Sequence, residues 1–416
     1  MTRLNKLFIL ETKDFVTYNN KIMMKNNLLP KEMKFNYKGG ENTSTEISGQ
    51  PELWMKVWES IKSKEMEFRN LINDIRNRPG LSVVLTGAGT SAFIGDVLEG
   101  PFQVATNLFT KAIATTDLIT HPELYFQKNK EILLISFARS GDSPESATAV
   151  ELAEQLCKKV INLVITCNQK SKLVDVLKNK DGFVFFLPPE ADDKSLAMTG
   201  SFTSMLLAGL LISDIDAIDK NKYEVELLIQ YAKKIFSQYL NELKKVAELN
   251  FDRAIFLGSG LMKGIARESQ LKLQELTDGK VICKYDTFLG FRHGPKAVIN
   301  EKSLITFLFS NNNYVNKYEV DLVKTISDGR EPVYSIGVME NKVPGIELKL
   351  EIVLGDGKNK LSEKFLTVVS VLPAQILGFY KSLQFGLNPD NPSESGMIHR
   401  VVQGVNIYPY KKNGKE

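Results

Sequence analysis

Residues 82–92 read Ser-Val-Val-Leu-Thr-Gly-Ala-Gly-Thr-Ser-Ala, a short apolar run that passes into glycines and then into hydroxyl side chains. Ser82–Leu85 reads as a strand, and the residues after Gly89 as the start of a helix. Gly87 and Gly89 allow a tight turn and a close backbone approach. Thr90 and Ser91 set hydroxyls beside the free N–H groups of the helix start, which is the chemistry of an anion site. It is not a P-loop, because no Gly-Lys-Ser/Thr follows. It is not a dinucleotide fingerprint either, because Ala92 stands where the third glycine would be. The competing reading is a tight strand–helix turn with no ligand.

The pattern continues outward from this point. Ala112–Thr115, Ile132–Ser136, Ile161–Thr166 and Phe183–Leu187 read as further strands, with a helix at Ser143–Lys158. Long helical runs over Leu196–Ser213 and Tyr223–Leu249 separate this unit from a second one. There Ala254–Leu257 reads as a strand, followed by Gly258-Ser259-Gly260 and a helix through Leu276. Val281–Tyr285, Leu304–Phe309, Val333–Val338 and Leu348–Val353 are strands, and Lys364–Leu387 is helix. Both glycines of the first turn recur 171 residues later. Strand–helix alternation in two matched halves predicts an α/β fold of two lobes, each a parallel sheet flanked by helices. The expected divisions are 1–40, an N-terminal extension; 41–80, a helical segment; 81–216, the first lobe; 217–250, a connecting helix; 251–387, the second lobe; and 388–416, a tail. Residues 1–33 read as a loosely ordered extension or a misplaced start, with Met23, Met24 and Met33 as alternative starts.

Composition narrows the function classes. The 416 residues are 43% hydrophobic and 25% charged, as expected of a globular chain. Lys+Arg 53 against Asp+Glu 49 gives a net charge of +4, too small and too dispersed to suggest nucleic acid as a partner. Three cysteines without metal-ligand spacing predict neither a disulfide framework nor a zinc site and fit a reducing cytoplasm. No apolar run is read as reaching the ~18 residues of a membrane span. The longest, around Ser204–Ile212, is too short.

Two more groups of residues carry chemistry. Ser136–Ser146, SFARSGDSPES, also leaves a strand. Ser143 is placed as an N-cap with Pro144 at the first helical position, so Ser140 and Ser143 both face an anion at that helix start. Hydroxyl-rich loops at the C-terminal ends of parallel strands share one crevice. Many hydroxyls and few lysines suit a sugar monophosphate. The second lobe lacks the paired hydroxyls, so phosphate binding is assigned to the first. Glu268, Lys272 and Glu275 fall at i, i+4 and i+7, one helical face. The alternative there is an exposed ion-pair stripe. His293, in Arg292-His293-Gly294-Pro295, is a proton shuttle held in a loop, or a loop histidine capping a backbone group. His121 precedes Pro122 and reads as a turn residue. His399, in the tail, is within reach of the site.

Taken together, the order Gly-x-Gly-Thr-Ser, Arg-Ser-Gly-Asp-Ser, Glu-x3-Lys-x2-Glu and His-Gly-Pro resembles that of sugar isomerase (SIS) domain enzymes. The chain is similar to the isomerase half of glucosamine-6-phosphate synthase over about residues 81–408. It looks more like the bacterial galactosamine-6-phosphate deaminase/isomerase family, also labelled tagatose-6-phosphate ketose/aldose isomerase. The segments SFARSGDSPES, FRHGPKAV (Phe291–Val298), NPDNP (Asn388–Pro392) and RVVQGV (Arg400–Val405) carry that closer likeness.

The resemblance implies two flavodoxin-like three-layer lobes. It implies that Gly89, Thr90, Ser91, Arg139, Ser140 and Ser143 surround a phosphosugar. It implies that Glu275 moves a proton between C1 and C2, with Lys272 and Glu268 as charged neighbours, and that His293 opens the sugar ring from the neighbouring subunit of a homodimer. The synthase's glutaminase domain and its tail lysine have no counterpart here. Arg400 and Gln403 lie nearest the lysine position, and His399 beside them. That favours a substrate already carrying nitrogen: galactosamine 6-phosphate, deaminated to tagatose 6-phosphate and ammonia without metal or redox cofactor, in amino-sugar catabolism. A plain aldose–ketose isomerase and a non-enzymatic phosphosugar sensor are the alternatives.

Overall fold

A computed structural model describes residues 8–9, 28, 39–327, 329 and 331–410. The reading of residues 1–33 as a loose tail with alternative starts falls almost wholly outside the described residues. Phe8–Ile9 pairs as a strand, and Leu28 is buried with its carbonyl accepting from the Tyr380 hydroxyl at 2.9 Å.

Among the described residues, eleven strands form two sheets, and every pairing in them is parallel. The first comprises β1 (Phe8–Ile9), β2 (Leu81–Thr86), β3 (Thr110–Ala112), β4 (Glu131–Ala138), β5 (Lys159–Thr166) and β6 (Gly182–Phe186) in the order β1-β6-β5-β4-β2-β3. The second comprises β7 (Arg253–Gly258), β8 (Ile282–Asp286), β9 (Ser303–Leu308), β10 (Tyr334–Met339) and β11 (Leu350–Val353) in the order β11-β10-β9-β7-β8. With β1 set aside, each sheet runs second, first, third, fourth, fifth, the flavodoxin-like order. The strands are apolar on both faces because helices cover both. Val83, Leu85, Leu133 and Ile135 enter a central core, while Val84, Ile132 and Leu134 enter an outer one. Ala254 and Phe256 share that same central core, and Ile255 and Leu257 face away from it.

The helix Gly200–Ser213 lies in the central core with every residue buried, and it is apolar all round, as a surrounded helix must be. The N-terminal helices pack on it. Trp54 Nε1 donates to Thr203 Oγ1 at 3.0 Å. The 22-residue stretch Glu363–Gln384 is long and apolar enough for a membrane span by length and composition, which the sequence reading missed. It is two abutting helices, Glu363–Ser370 and Leu372–Gln384, buried inside the fold. Pro373, in the first turn of the second, marks the break within the expected single helix Lys364–Leu387.

Other boundaries differ for physical reasons. The expected helical segment 41–80 holds three helices, Glu41–Ser48, Gln50–Ser63 and Glu65–Arg76, interrupted at Gly49 and Lys64. β3 begins two residues before Ala112, and Thr115 already opens a short helix while its N–H still reaches Gly87 O. Leu196–Thr199, expected as helix, is loop. The buried carboxylate of Asp193 accepts from the N–H groups of Thr199, Gly200 and Ser201 at 2.8, 3.1 and 2.9 Å, and so fixes the helix start at Gly200.

Candidate active site

In each sheet the chain order reverses between the first and third strands, which opens a crevice at their C-terminal ends. In the first lobe that crevice lies beyond β2 and β4, and it is where the two hydroxyl-rich loops meet. Gly87 must be glycine, because a Cβ there would lie 2.6 Å from the Ser91 backbone. Gly89 has φ 55° and opens onto free space. The helix Thr90–Thr106 begins directly after it, and Pro144–Leu156 begins after the second loop. Ser143 stands at the N-cap, but its side chain makes no capping hydrogen bond. Its hydroxyl is therefore free for a ligand.

A cleft of about 300 Å³ occupies this place. Gly89, Thr90, Ser91, Arg139, Ser140, Ser143 and Ser146 line it from the first lobe, Lys272 and Glu275 from the second, and His399, Arg400 and Gln403 from the tail. Two helix N-termini and their hydroxyls thus face a carboxylate across one space. Such an arrangement has the chemistry to hold an anionic group opposite a base.

The helix Met262–Leu276 packs on Thr90–Thr106, which brings the second lobe's charges here. Glu268, Lys272 and Glu275 are not an exposed stripe: the Lys272 and Glu268 side chains are 0% exposed and that of Glu275 23%. Lys272 Nζ lies 2.6 Å from Glu275 Oε2 and 3.4 Å from Glu268 Oε1. Burial opposes the lysine's charge, but the two carboxylates outweigh it and hold its pKa above the usual range. Burial pushes Glu268 up to about 8; Glu275 adds to this, while Lys272 and Thr90 pull it down. Glu268 sits behind the cleft wall and does not line it.

His293 also stays outside. It is exposed, between the short helix Phe288–Phe291 and the turn Pro295–Val298, and is absent from this chain's cleft wall. His121 is a turn residue, as expected. Among the described residues, no group of three or more His, Cys, Asp or Glu is arranged to hold a metal ion.

Arg139 does something its sequence did not disclose. The side chain is buried, and it donates to the carbonyls of Ser195 and Leu196 at 3.0 and 3.1 Å and of Arg400 at 2.7 Å. Arg400 in turn donates to Asp193 O at 2.9 and 2.7 Å and to Asp192 Oδ1 at 2.6 Å. The two arginines therefore lash the tail to the loop 192–198. Sequence reasoning missed this loop, whose Leu196 and Met198 wall the cleft, along with Met397, Ile398 and Val402 of the tail. It also missed Asn168, which follows β5 and donates to Ser140 O at 2.8 Å and Asp142 Oδ2 at 3.3 Å. Except for Val402, inside RVVQGV, none of these residues stands in a quoted motif, because each works through groups that only the fold brings near.

No family model matches the chain. Full-length relatives do. The D-galactosamine-6-phosphate deaminase AgaS of Shewanella sp. (strain ANA-3) is 39% identical over 390 residues, 93% of this chain and 96% of that protein. The crystal structure of a candidate tagatose-6-phosphate ketose/aldose isomerase from Clostridium novyi NT matches with TM-score 0.88 and 37% identity, covering 93% of this chain and all of that one. The tagatose-6-phosphate ketose/aldose isomerase of Escherichia coli matches with TM-score 0.80 and 31% identity over 89% of this chain and 98% of that one.

Proposed function

The chain belongs to the AgaS family of SIS-domain enzymes, and we propose that it carries out the isomerising deamination of D-galactosamine 6-phosphate to D-tagatose 6-phosphate and ammonia. One observation carries the mechanism: the Lys272–Glu275 pair faces, across a single cleft, the hydroxyls and helix starts of the first lobe.

The phosphate sits among Thr90, Ser91, Ser140 and Ser143, where N–H dipoles and hydroxyls stabilise its charge. Once the ring is open, the C1 aldehyde acidifies the C2 proton. Glu275 Oε2 is engaged by Lys272. Its other oxygen takes the proton, giving an enolamine, and returns it to C1. One carboxylate serves both steps because the two carbons are adjacent. The 2-imine then adds water at C2 and expels ammonia, leaving the ketose phosphate. Arg139 acts by holding the tail, so its contribution is to the shape of the site. His293 opens the ring from the neighbouring copy of a homodimer. Its exposed position outside its own chain's cleft supports that sharing.

The test is ammonia release from galactosamine 6-phosphate beside glucosamine 6-phosphate, with ketose phosphate measured in parallel. Ammonia and tagatose 6-phosphate in equal amounts are expected from the galacto sugar. No ammonia from either sugar, with tagatose 6-phosphate itself interconverted with its aldose, would reduce the reaction to plain isomerisation.

A further inference from the structure

The loop 192–198 is held by side chains from three distant parts of the chain. Arg400 takes the carbonyl of Asp193. Glu46 Oε1, from the helix Glu41–Ser48, accepts from the N–H groups of Lys194 and Ser195 at 2.6 and 3.2 Å. The Leu196 N–H goes to Asp390 O at 2.9 Å, and the Ser195 and Leu196 carbonyls go to Arg139. Asp390 also accepts from the N–H and hydroxyl of Thr43 at 2.8 Å each, which ties the Asn388–Pro392 turn to the same N-terminal helix. A loop with so few backbone bonds of its own keeps its shape through these partners.

We propose that Glu46 is a positioning residue of the active site. By fixing the N–H groups of Lys194 and Ser195 it sets the Leu196–Met198 wall and the platform on which Arg139 and Arg400 lay the tail over the cleft. Glu46 belongs to neither sheet and is absent from the cleft lining. Its effect runs through Ser195, whose carbonyl faces Arg139 while its N–H faces Glu46. Met198, at the far end of the loop, stands with its sulfur 3.9 Å from the Ser91 hydroxyl, so a shift of the loop reaches the phosphate-binding turn. The kinetic part of this inference rests on the cleft being the phosphosugar site, but the tail arm of its test does not.

The variants are Glu46→Ala, Glu46→Gln and Glu46→Asp, each checked for folding by circular dichroism. Gln keeps an oxygen that accepts from two N–H groups, whereas Ala removes it and Asp falls one methylene short. With galactosamine 6-phosphate, Glu46→Ala is expected to raise KM roughly tenfold, the size of one lost hydrogen bond, with kcat within about threefold. Glu46→Asp should move the same way, and Glu46→Gln should match the wild type. Trypsin cleavage after Arg400 reports the tail directly, and it should be faster in the Ala and Asp variants and slow in Gln. Unchanged tryptic protection in both Ala and Asp overturns the proposal, as does a Gln variant as loose as Ala. A wild type that releases no ammonia removes the proposed function, while the tryptic comparison still decides the role of Glu46.

Discussion

Lys272 donates to Glu275 across 2.6 Å from a position with no exposure to solvent, while the carboxylate itself keeps 23% of its surface open to the cleft. An ammonium fixed in this way cannot swing out to meet substrate. It holds one oxygen of a side chain that remains partly open to the cleft. Glu275→Gln should therefore lower kcat by three orders of magnitude or more, about 4 kcal/mol in the barrier. Phosphosugar affinity, measured by titration, should change little, because the proposed phosphate subsite lies on the opposite wall. A variant that keeps near-wild-type turnover would remove Glu275 from the proton path.

Glu268 makes the stability of the fold fall as pH rises from acid to just above neutral. Its carboxyl titrates near 8 in the fold against a usual 4.5, chiefly because it is buried. The folded state thus prefers the protonated acid. This contribution is complete below pH 4.5 and is lost as pH rises through about 8, on the order of a few kcal/mol in all. Melting temperature should fall between about pH 4.5 and pH 8, and Glu268→Gln should flatten that fall. An identical slope in the two proteins would mean that Glu268 is ionised throughout.

Sharing of His293 between copies has an arithmetic signature. His293→Ala and Glu275→Gln should each be nearly inactive alone. Mixed and reassembled, half the dimers carry both chains, and each such dimer holds one intact composite site, so about a quarter of wild-type activity should return. No recovery would place the ring-opening step with another residue.

The phosphate subsite should show itself in KM. Ser143 offers a hydroxyl that makes no capping bond, and a hydrogen bond to a charged group contributes about 1.5–3 kcal/mol. Ser143→Ala should raise KM about tenfold or more and weaken inhibition by inorganic phosphate to a similar degree, with the melting temperature almost unchanged because no capping bond is lost.

Sequence disclosed what local pattern controls. Among the described strands the apolar runs gave all but β1, and the glycine and hydroxyl turns gave one wall of the cleft, since each is decided by residues next to one another. Glu268, Lys272 and Glu275 were visible as one helical face. Whether that face was wet or buried depended on the helix Thr90–Thr106, far earlier in the chain. Arg139 shows the limit most plainly. As a residue type it announces anion binding, yet its N–H groups go to three backbone carbonyls whose approach no spacing encodes. The start of the Gly200–Ser213 helix was misjudged for the same reason. Leu196 to Thr199 have helical composition, but Asp193 collects the first free N–H groups and stops the helix short.

The apolar stretch Glu363–Gln384 has a bearing on how the molecule is made. It packs against helices from both halves of the chain, including Gly200–Ser213, Leu240–Glu248 and Met262–Leu276. During synthesis, those helices are complete while the surface that will cover them is still untranslated. A fragment ending near residue 360 would have its strands but would present a bare oily seam to solvent. Such a fragment should aggregate or be held by chaperones. Two sheets therefore do not make two independently expressible pieces. Any shortened chain meant to isolate the phosphate-binding half must carry this helix pair or replace the surface it hides.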